Sequence, residues 1–216
     1  MKYILFAGIL LFGFQITAQN SDLQNKIEFV NVKIQKTEKG VRLTWLDSLT
    51  KLTFRNSELK YDSITRQTIS LAIELDSLSL ATKNVTDLIG FQNNYLGKPQ
   101  EGLRIFNTYK EKLNKGKDFG SIGFMYLNVA DSYYYTGNID KSLDFYEIAK
   151  DFALKASNQR LLAYALLYTG YNESDLGQFS KSSNSLKEAI NVFTKLKDTF
   201  NILGAKNALS ILYLSL

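Results

Sequence analysis

The chain has 216 residues, of which 45% are hydrophobic and 22% are charged, and it carries a formal net charge of +5. This balance is typical of a folded globular chain and excludes wholesale disorder. The sequence contains neither cysteine nor histidine, which excludes disulfides, Ser-His and Cys-His nucleophile pairs and the usual zinc sites. Its one proline is Pro99, so long helices are permitted almost everywhere.

Residues 1–18, MKYILFAGILLFGFQITA, predict a secretory signal peptide. Lys2 precedes an apolar run from Tyr3 to Phe14, and small and polar residues follow it. The run is too short to span a bilayer comfortably. The alternative is a buried amphipathic helix, but the run is apolar on every face. Cleavage before Gln19 would export the protein to the periplasm, with a Gram-negative bacterium as the expected source and no membrane span left after cleavage.

Three glycines recur at an interval of 40 residues, and small and large residues recur in the same register. The glycines are Gly97, Gly137 and Gly177; the small residues are Gly90, Ala130 and Gly170 before them and Gly102, Ser142 and Ser182 after them; the large ones are Phe106, Tyr146 and Leu186. Each unit therefore predicts a helix, a turn at the glycine, and a second helix that packs closely on the first. One such pair cannot bury its apolar face alone, so neighbouring pairs must stack.

Polar residues recur at the same interval between the units. Asp118, Asn158 and Asp198 stand where a turn or a helix N-cap is expected. The densest group of positive charges runs from Lys110 to Lys117. We interpret it as the end of a helix, where cations complement the C-terminal carbonyls. The alternative, a nucleic-acid patch, is not accompanied by any base-reading motif.

These positions resemble the tetratricopeptide repeat. The stretch YLNVADSYYYTGNIDKSLDFYEIA, residues 126–149, matches the family pattern of small and aromatic residues, and the next unit matches except at Glu173, where the family usually has an aromatic residue. The unit before is weaker, with Asn93 and Tyr109 at positions that are usually aromatic and small. The interval of 40 exceeds the family's usual length of about 34 residues, which implies helices about one turn longer in total.

The resemblance implies an all-α fold, a right-handed superhelix (α-solenoid) of antiparallel helix pairs. We expect a signal peptide at 1–18, divergent leading helices at 19–82 with a helical pair near Val41 to Asp76, and a repeat array at 83–216. Its units are expected to start near 83, 123 and 163, with a truncated unit from 203. Because Ser210 and Tyr213 take the small and aromatic positions of that last unit, we expect the array to continue past residue 216.

The resemblance also places one face of each first helix toward a concave groove. Tyr133 falls on a core position, whereas Tyr134 and Tyr135 have two open interpretations, groove residue or partly exposed core edge. An aromatic and mildly acidic groove suits apolar or basic protein segments. The candidate groove residues are Asp87, Phe91, Tyr95, Phe124, Asp131, Tyr134, Tyr135, Tyr164, Tyr171 and Asp175.

One subset of the family grips a peptide's C-terminal carboxylate with lysine, arginine and asparagine. That pattern is absent, because the corresponding positions include Asp87, Leu127 and Leu167. No pair of acids departs from helix-surface spacing, and no phosphate-binding glycine loop occurs, so no catalytic, cofactor-binding or metal-binding residue is predicted and no cofactor is expected.

The expected function is a non-catalytic protein-interaction module that binds a protein or peptide segment, or another copy of the chain, and no nucleic acid. Exported arrays of ~40-residue units resemble the N-terminal regions of bacterial sensor histidine kinases and helix-turn-helix regulators, which implies the periplasmic sensor region of a signal-transduction protein. The alternative is a free-standing periplasmic scaffold for envelope protein assembly. A membrane span and an effector encoded beyond residue 216 would favour the sensor.

Overall fold

The computed structural model describes residues 22–54 and 56–214, which form ten helices and no strand. The chain divides into two compact units, Met1–Asp76 and Ser77–Leu216. The predicted signal peptide lies outside the described residues. Within the part of the chain that is described, no helix is both long and apolar enough to cross a membrane.

Among its described residues, the first unit contains three helices. They are α1 (22–36), α2 (Lys39–Thr53) and α3 (Glu58–Glu74). An ion pair between Lys39 and Glu74 joins the start of α2 to the end of α3, as an antiparallel pair requires. The rings of Phe29 and Trp45 meet edge to face at 5.9 Å and join α1 to α2. Leu46 and Ile69 lie in the core of this unit.

The second unit alternates first helices, here called A helices, with second helices, called B helices. The A helices are α4 (Leu78–Asn94), α6 (Phe119–Tyr135), α8 (Gln159–Asp175) and α10 (Thr199–Leu214); the B helices are α5 (Pro99–Leu113), α7 (Ile139–Lys155) and α9 (Phe179–Lys195). Each helix packs against the next in the chain, and each A helix also packs against the next A helix. The predicted all-α solenoid of antiparallel helix pairs is confirmed.

The turns between A and B helices lie at the three repeating glycines, as predicted. Their φ angles are +60° at Gly97, +79° at Gly137 and +69° at Gly177. In the second turn, the N–H of Asn138 donates to the carbonyl of Tyr133 at 2.9 Å, which satisfies a carbonyl at the end of α6. Glycine is favoured at these positions because a side chain would be strained at positive φ.

The predicted N-caps are also confirmed. A side-chain oxygen accepts a backbone N–H in each case, Asp118 from Ser121 at 3.0 Å, Asn158 from Leu161 at 3.0 Å and Asp198 from Asn201 at 3.2 Å. Each bond satisfies a donor that the first turn of an A helix would otherwise leave free. The unit-to-unit connections are therefore specified by local chemistry.

Small residues allow the close packing of helices, but not always between the helices expected. Ala130 is fully buried in a cluster with Tyr146, and a Cβ atom on Gly170 would lie 2.8 Å from Leu186 Cγ. Both therefore lie where an A helix meets its own B helix, as predicted. Gly90 is different, because a Cβ there would lie 3.0 Å from Asn128 Nδ2 on α6. Its small size serves the stacking of successive A helices.

Candidate protein-binding face

The predicted groove residues lie on α4, α6 and α8, or directly after α4 in the case of Tyr95, but their exposure differs. Tyr95 is 46% exposed and Tyr135 is 52% exposed, whereas Phe91 is only 2% exposed and stacks on Tyr95 at 5.5 Å. Phe91 is thus a core residue and is not open to a partner. Asp87 and Asp175 are exposed, and the remaining candidates are half-buried: Phe124, Asp131, Tyr134, Tyr164 and Tyr171.

The consecutive tyrosines Tyr134 and Tyr135 reach in opposite directions along the array. Tyr134 Oη donates to Asp175 Oδ2 on α8 at 2.9 Å, and Tyr135 Oη donates to Asn94 Oδ1 on α4 at 3.2 Å. Their own rings meet at 5.7 Å. Both side chains therefore bridge neighbouring A helices while part of each ring stays accessible, a combination of the two interpretations that the sequence left open.

Tyr164 and Phe124 mainly pack against neighbouring helices and contribute little to an accessible face. The ring of Tyr164 meets Phe193 edge to face at 5.5 Å, stacks on Tyr168 at 6.2 Å, and its hydroxyl accepts from Asn201 Nδ2 at 3.3 Å. Phe124 packs against the core between α6, α7 and α8. We therefore define the tyrosine face by the candidates that stay accessible on α6 and α8. Its members are Asp131, Tyr134, Tyr135, Tyr171 and Asp175.

The Asp131 carboxyl is the electrostatic centre of the tyrosine face. Tyr146 Oη, on α7, donates to Asp131 Oδ1 at 2.5 Å. Burial raises the pKa of Asp131 to about 6 from its ordinary 3.8, and the hydrogen bond from Tyr146 opposes the rise. Burial, and then the negative charge of Asp131, also raise the pKa of Tyr135, Tyr146 and Tyr168. All three hydroxyls are therefore neutral donors at physiological pH.

No protein-family model and no curated protein sequence matches this chain. Solved structures do match it. One is a Signal Transduction ATPase with Numerous Domains (STAND) protein with a tetratricopeptide repeat sensor from Pyrococcus horikoshii, at a TM-score of 0.65 and 17% identity over 92% of this chain and 31% of that chain. The fold is a tetratricopeptide-like helical repeat.

This chain thus spans about a third of the length of the STAND protein. A second match is BtubC from P. vanneervenii, with a TM-score of 0.74 and 12% identity over 91% of this chain and 82% of that chain. At such low identities the similarity establishes the helical-repeat fold and nothing about the residues of the face.

Two further tyrosines contact residues of the face, the buried Tyr146 and the half-buried Tyr168, and neither was among the predicted groove residues. Tyr146 was assigned to packing alone, and Tyr168 was assigned no role. The ring of Tyr168 lies 5.9 Å from that of Tyr146 and 6.1 Å from that of Tyr171. Tyr164, Tyr168 and Tyr171 follow one another at helical spacings of four and three residues, and that stripe was the available signal.

The face is rich in aromatic and hydroxyl groups. Among the described residues, no group of acidic side chains is arranged to hold a metal ion. The face instead offers large aromatic surfaces, neutral hydroxyl donors and two carboxylates, Asp131 and Asp175. Such surfaces favour apolar and positively charged groups.

Proposed function

We propose that this chain is a non-catalytic protein-interaction module whose tyrosine face binds a segment of a partner protein. The observation that carries the proposal is the run of partly exposed tyrosines on α6 and α8, of which Tyr135 is 52% exposed. Tyrosine combines a large apolar ring with a polar tip and loses little side-chain entropy on binding, so it is enriched at protein interfaces. The bridging bonds to Asn94 and Asp175 hold two of these rings in place before a partner arrives.

We further propose that the module is the periplasmic sensor region of a bacterial signal-transduction protein. Two observations support this role. Residues 1–18 have the pattern of a secretory signal, and the tetratricopeptide repeat of the STAND protein is described as a sensor. Fractionation of cells that express the chain with and without residues 1–18 tests the location. Periplasmic recovery that requires those residues is the expected result, and cytoplasmic recovery of both forms contradicts the proposal.

Site-specific photo-crosslinking tests the binding face. A photoreactive phenylalanine analogue replaces Tyr135 in one variant and Leu154 in another, each in the full chain in its own host. Leu154 is a matched control because it is 62% exposed on α7 and lines an open concavity of about 530 Å³ with Leu162, Val192 and neighbouring side chains. Both positions are therefore accessible apolar surface on one repeat unit.

We expect one discrete adduct from position 135, identified by mass spectrometry as a protein segment or a second copy of the chain, and none from position 154. An adduct from position 154 alone would move the binding face to the concavity beside α7. The absence of any adduct at either position, at normal expression and folding, would contradict an interaction module.

A further inference from the structure

We infer that Asp131, together with Tyr135 and Tyr168, forms a pocket for the lysine or arginine side chain of the bound protein segment. The inference rests on the proposed function for its occupant, a protein segment. It adds the class of residue that the tyrosine face selects.

Three helices contribute to the pocket. Asp131 and Tyr135 lie four residues apart on α6, so they share one face of that helix. Tyr146 approaches from α7 and donates to Asp131 Oδ1 at 2.5 Å. Tyr168 comes from α8, and its ring lies 5.9 Å from that of Tyr146. Asp131 is half-buried and Tyr135 is 52% exposed, so part of each residue remains accessible from solvent.

The pocket holds a negative charge without a positive one. Among the described residues, no lysine or arginine forms an ion pair with Asp131 or shifts the pKa of its carboxyl group. Two lysines of α7 are engaged elsewhere. Lys150 pairs with Glu147 at 2.5 Å, and Lys141 lies over the ring of Tyr133 at 5.5 Å. A desolvated carboxylate gains from a cation that replaces its lost water, so an incoming ammonium or guanidinium group is favoured here.

The surrounding rings favour the same ligand. The faces of tyrosine rings attract cations, and the attraction grows where water is excluded. Asp175, fixed by the hydroxyl of Tyr134 at 2.9 Å, adds a second carboxylate on the same face. Acidic and phosphorylated segments are repelled by both charges. The tyrosine face therefore selects a segment with a basic residue flanked by apolar ones.

Nuclear magnetic resonance titration of the full chain tests the pocket without knowledge of the partner. The probes are N-acetyl-lysine methylamide, N-acetyl-arginine methylamide, and N-acetyl-norleucine methylamide, which has the same butyl chain as lysine without the charge. Tetramethylammonium chloride is the fourth probe. The signals are the Asp131 carboxyl carbon and the ring atoms of Tyr135 and Tyr168.

We expect saturable shifts of these signals with the lysine and arginine probes, and none with norleucine. The pKa of the Asp131 carboxyl should fall when the lysine probe is bound, because a nearby cation favours the charged carboxylate. Asp131→Asn should weaken the binding of the lysine probe by about tenfold or more, since the variant lacks the charge with which the ammonium group pairs. Asp144→Asn, which removes an exposed carboxylate of α7 outside the candidate groove, should change that affinity by less than about twofold.

Four outcomes would overturn the inference. The first is no saturable shift with the lysine probe, and the second is equal binding of the norleucine probe. The third is an unchanged affinity of Asp131→Asn for the lysine probe. The fourth is tetramethylammonium binding as tightly as the lysine probe, which would assign the pocket to small organic cations. The pKa measurement uses the unmodified chain, so the test stands even if Asp131→Asn does not fold. If the probes do not bind but the crosslinked adduct at position 135 forms, the pocket alone is overturned. If the probes bind but no adduct forms at position 135, a protein segment is overturned as the occupant of the pocket.

Discussion

At the scale of single residues, Asp131 makes the stability of the second unit depend on pH. Its carboxyl accepts from Tyr146 and lies close enough to Tyr168 and Tyr135 to shift their pKa values. Because its pKa is about 6 in the folded chain against an ordinary 3.8, the folded state holds the proton more tightly than the unfolded chain does. The resulting stabilisation is fully present below pH 3.8, declines as pH rises, and is lost above pH 6.

Asp131→Asn should remove this dependence, because asparagine cannot ionise and its amide oxygen can still accept from Tyr146. Relative to the unmodified chain, the variant should gain on the order of 2 kcal/mol in free energy of unfolding between about pH 4 and pH 7.5. Urea unfolding of both proteins at the two pH values measures the gain, since the other carboxylates are common to both. A stability difference that is the same at both pH values would contradict the assigned pKa.

At the scale of helix pairs, Gly170 and Gly204 are two mid-helix glycines in A helices with opposite surroundings. A Cβ on Gly170 would lie 2.8 Å from Leu186 Cγ and 2.9 Å from its Cδ2, whereas a Cβ on Gly204 would meet nothing within 4 Å. Gly170→Ala should therefore destabilise the unit by about 1–3 kcal/mol through overpacking. Gly204→Ala should stabilise it by up to about 1 kcal/mol, since alanine favours the helix.

Thermal unfolding of the two alanine variants checks the signs of these effects. A melting temperature that rises in both would show that Leu186 moves aside without cost, and one that falls in both would show that Gly204 is held by contacts absent from the described residues.

The caps of the helices allow a second matched comparison. Asn158 accepts the N–H of Leu161 at 3.0 Å at the start of α8, whereas Gln178 stands at the N-cap of α9 without a side-chain cap bond. Asn158→Ala should cost about 1 kcal/mol, and Gln178→Ala should cost a few tenths or less. Chemical unfolding of each variant measures the two costs, and equal costs would remove the capping role of Asn158.

How much of this fold and face the sequence predicts depends on the range of the interactions. The turn at Gly137 and the cap at Asp118 were predictable, because each depends on residues three to five positions away. The burial of Phe91 and the contact of Gly90 with Asn128 were not, because they depend on how one A helix stacks on the next. The sequence of a single unit does not determine the angle at which successive A helices stack.

The two departures from the tetratricopeptide pattern also depend on interactions between distant parts of the chain, which the sequence does not predict. Asn93 and Glu173 stand where the family usually has an aromatic residue. Glu173 Oε2 accepts from Ser185 Oγ at 2.7 Å, and Asn93 Nδ2 donates to the carbonyl of Asn128 at 2.8 Å. Both positions exchange ring packing for hydrogen bonds to a neighbouring helix, and the bonding partners lie too far along the chain for a pattern to reveal them.

At the scale of the whole array, buried hydrogen bonds fix the register of α4 on α6. Asn93 Nδ2 donates to the carbonyl of Asn128, and Ser132 Oγ donates to Asn93 Oδ1 at 2.9 Å. Asn128 Nδ2 in turn donates to the carbonyl of Thr86 at 2.8 Å. Because Asn93 is only 6% exposed and Ser132 is fully buried, water cannot readily replace these bonds. A slip of one residue between the helices would leave all of them unmade.

Asn93→Ala should therefore loosen one interface of the array while leaving distant ones intact. It removes the two hydrogen bonds that join Asn93 to Ser132 and to the Asn128 carbonyl, while the bond from Ser132 Oγ to that carbonyl at 3.1 Å remains, so the cost should be about 1 kcal/mol. Since each unit of a solenoid contacts only its neighbours, the loss should stay local. Hydrogen exchange should accelerate in α4 and α5 and remain unchanged in α8 and α9, with the exposed Asn207→Ala on α10 as the control. Equally faster hydrogen exchange in all helices would instead show that the array unfolds as one cooperative unit. The packing at each interface would then depend on the packing at all the others.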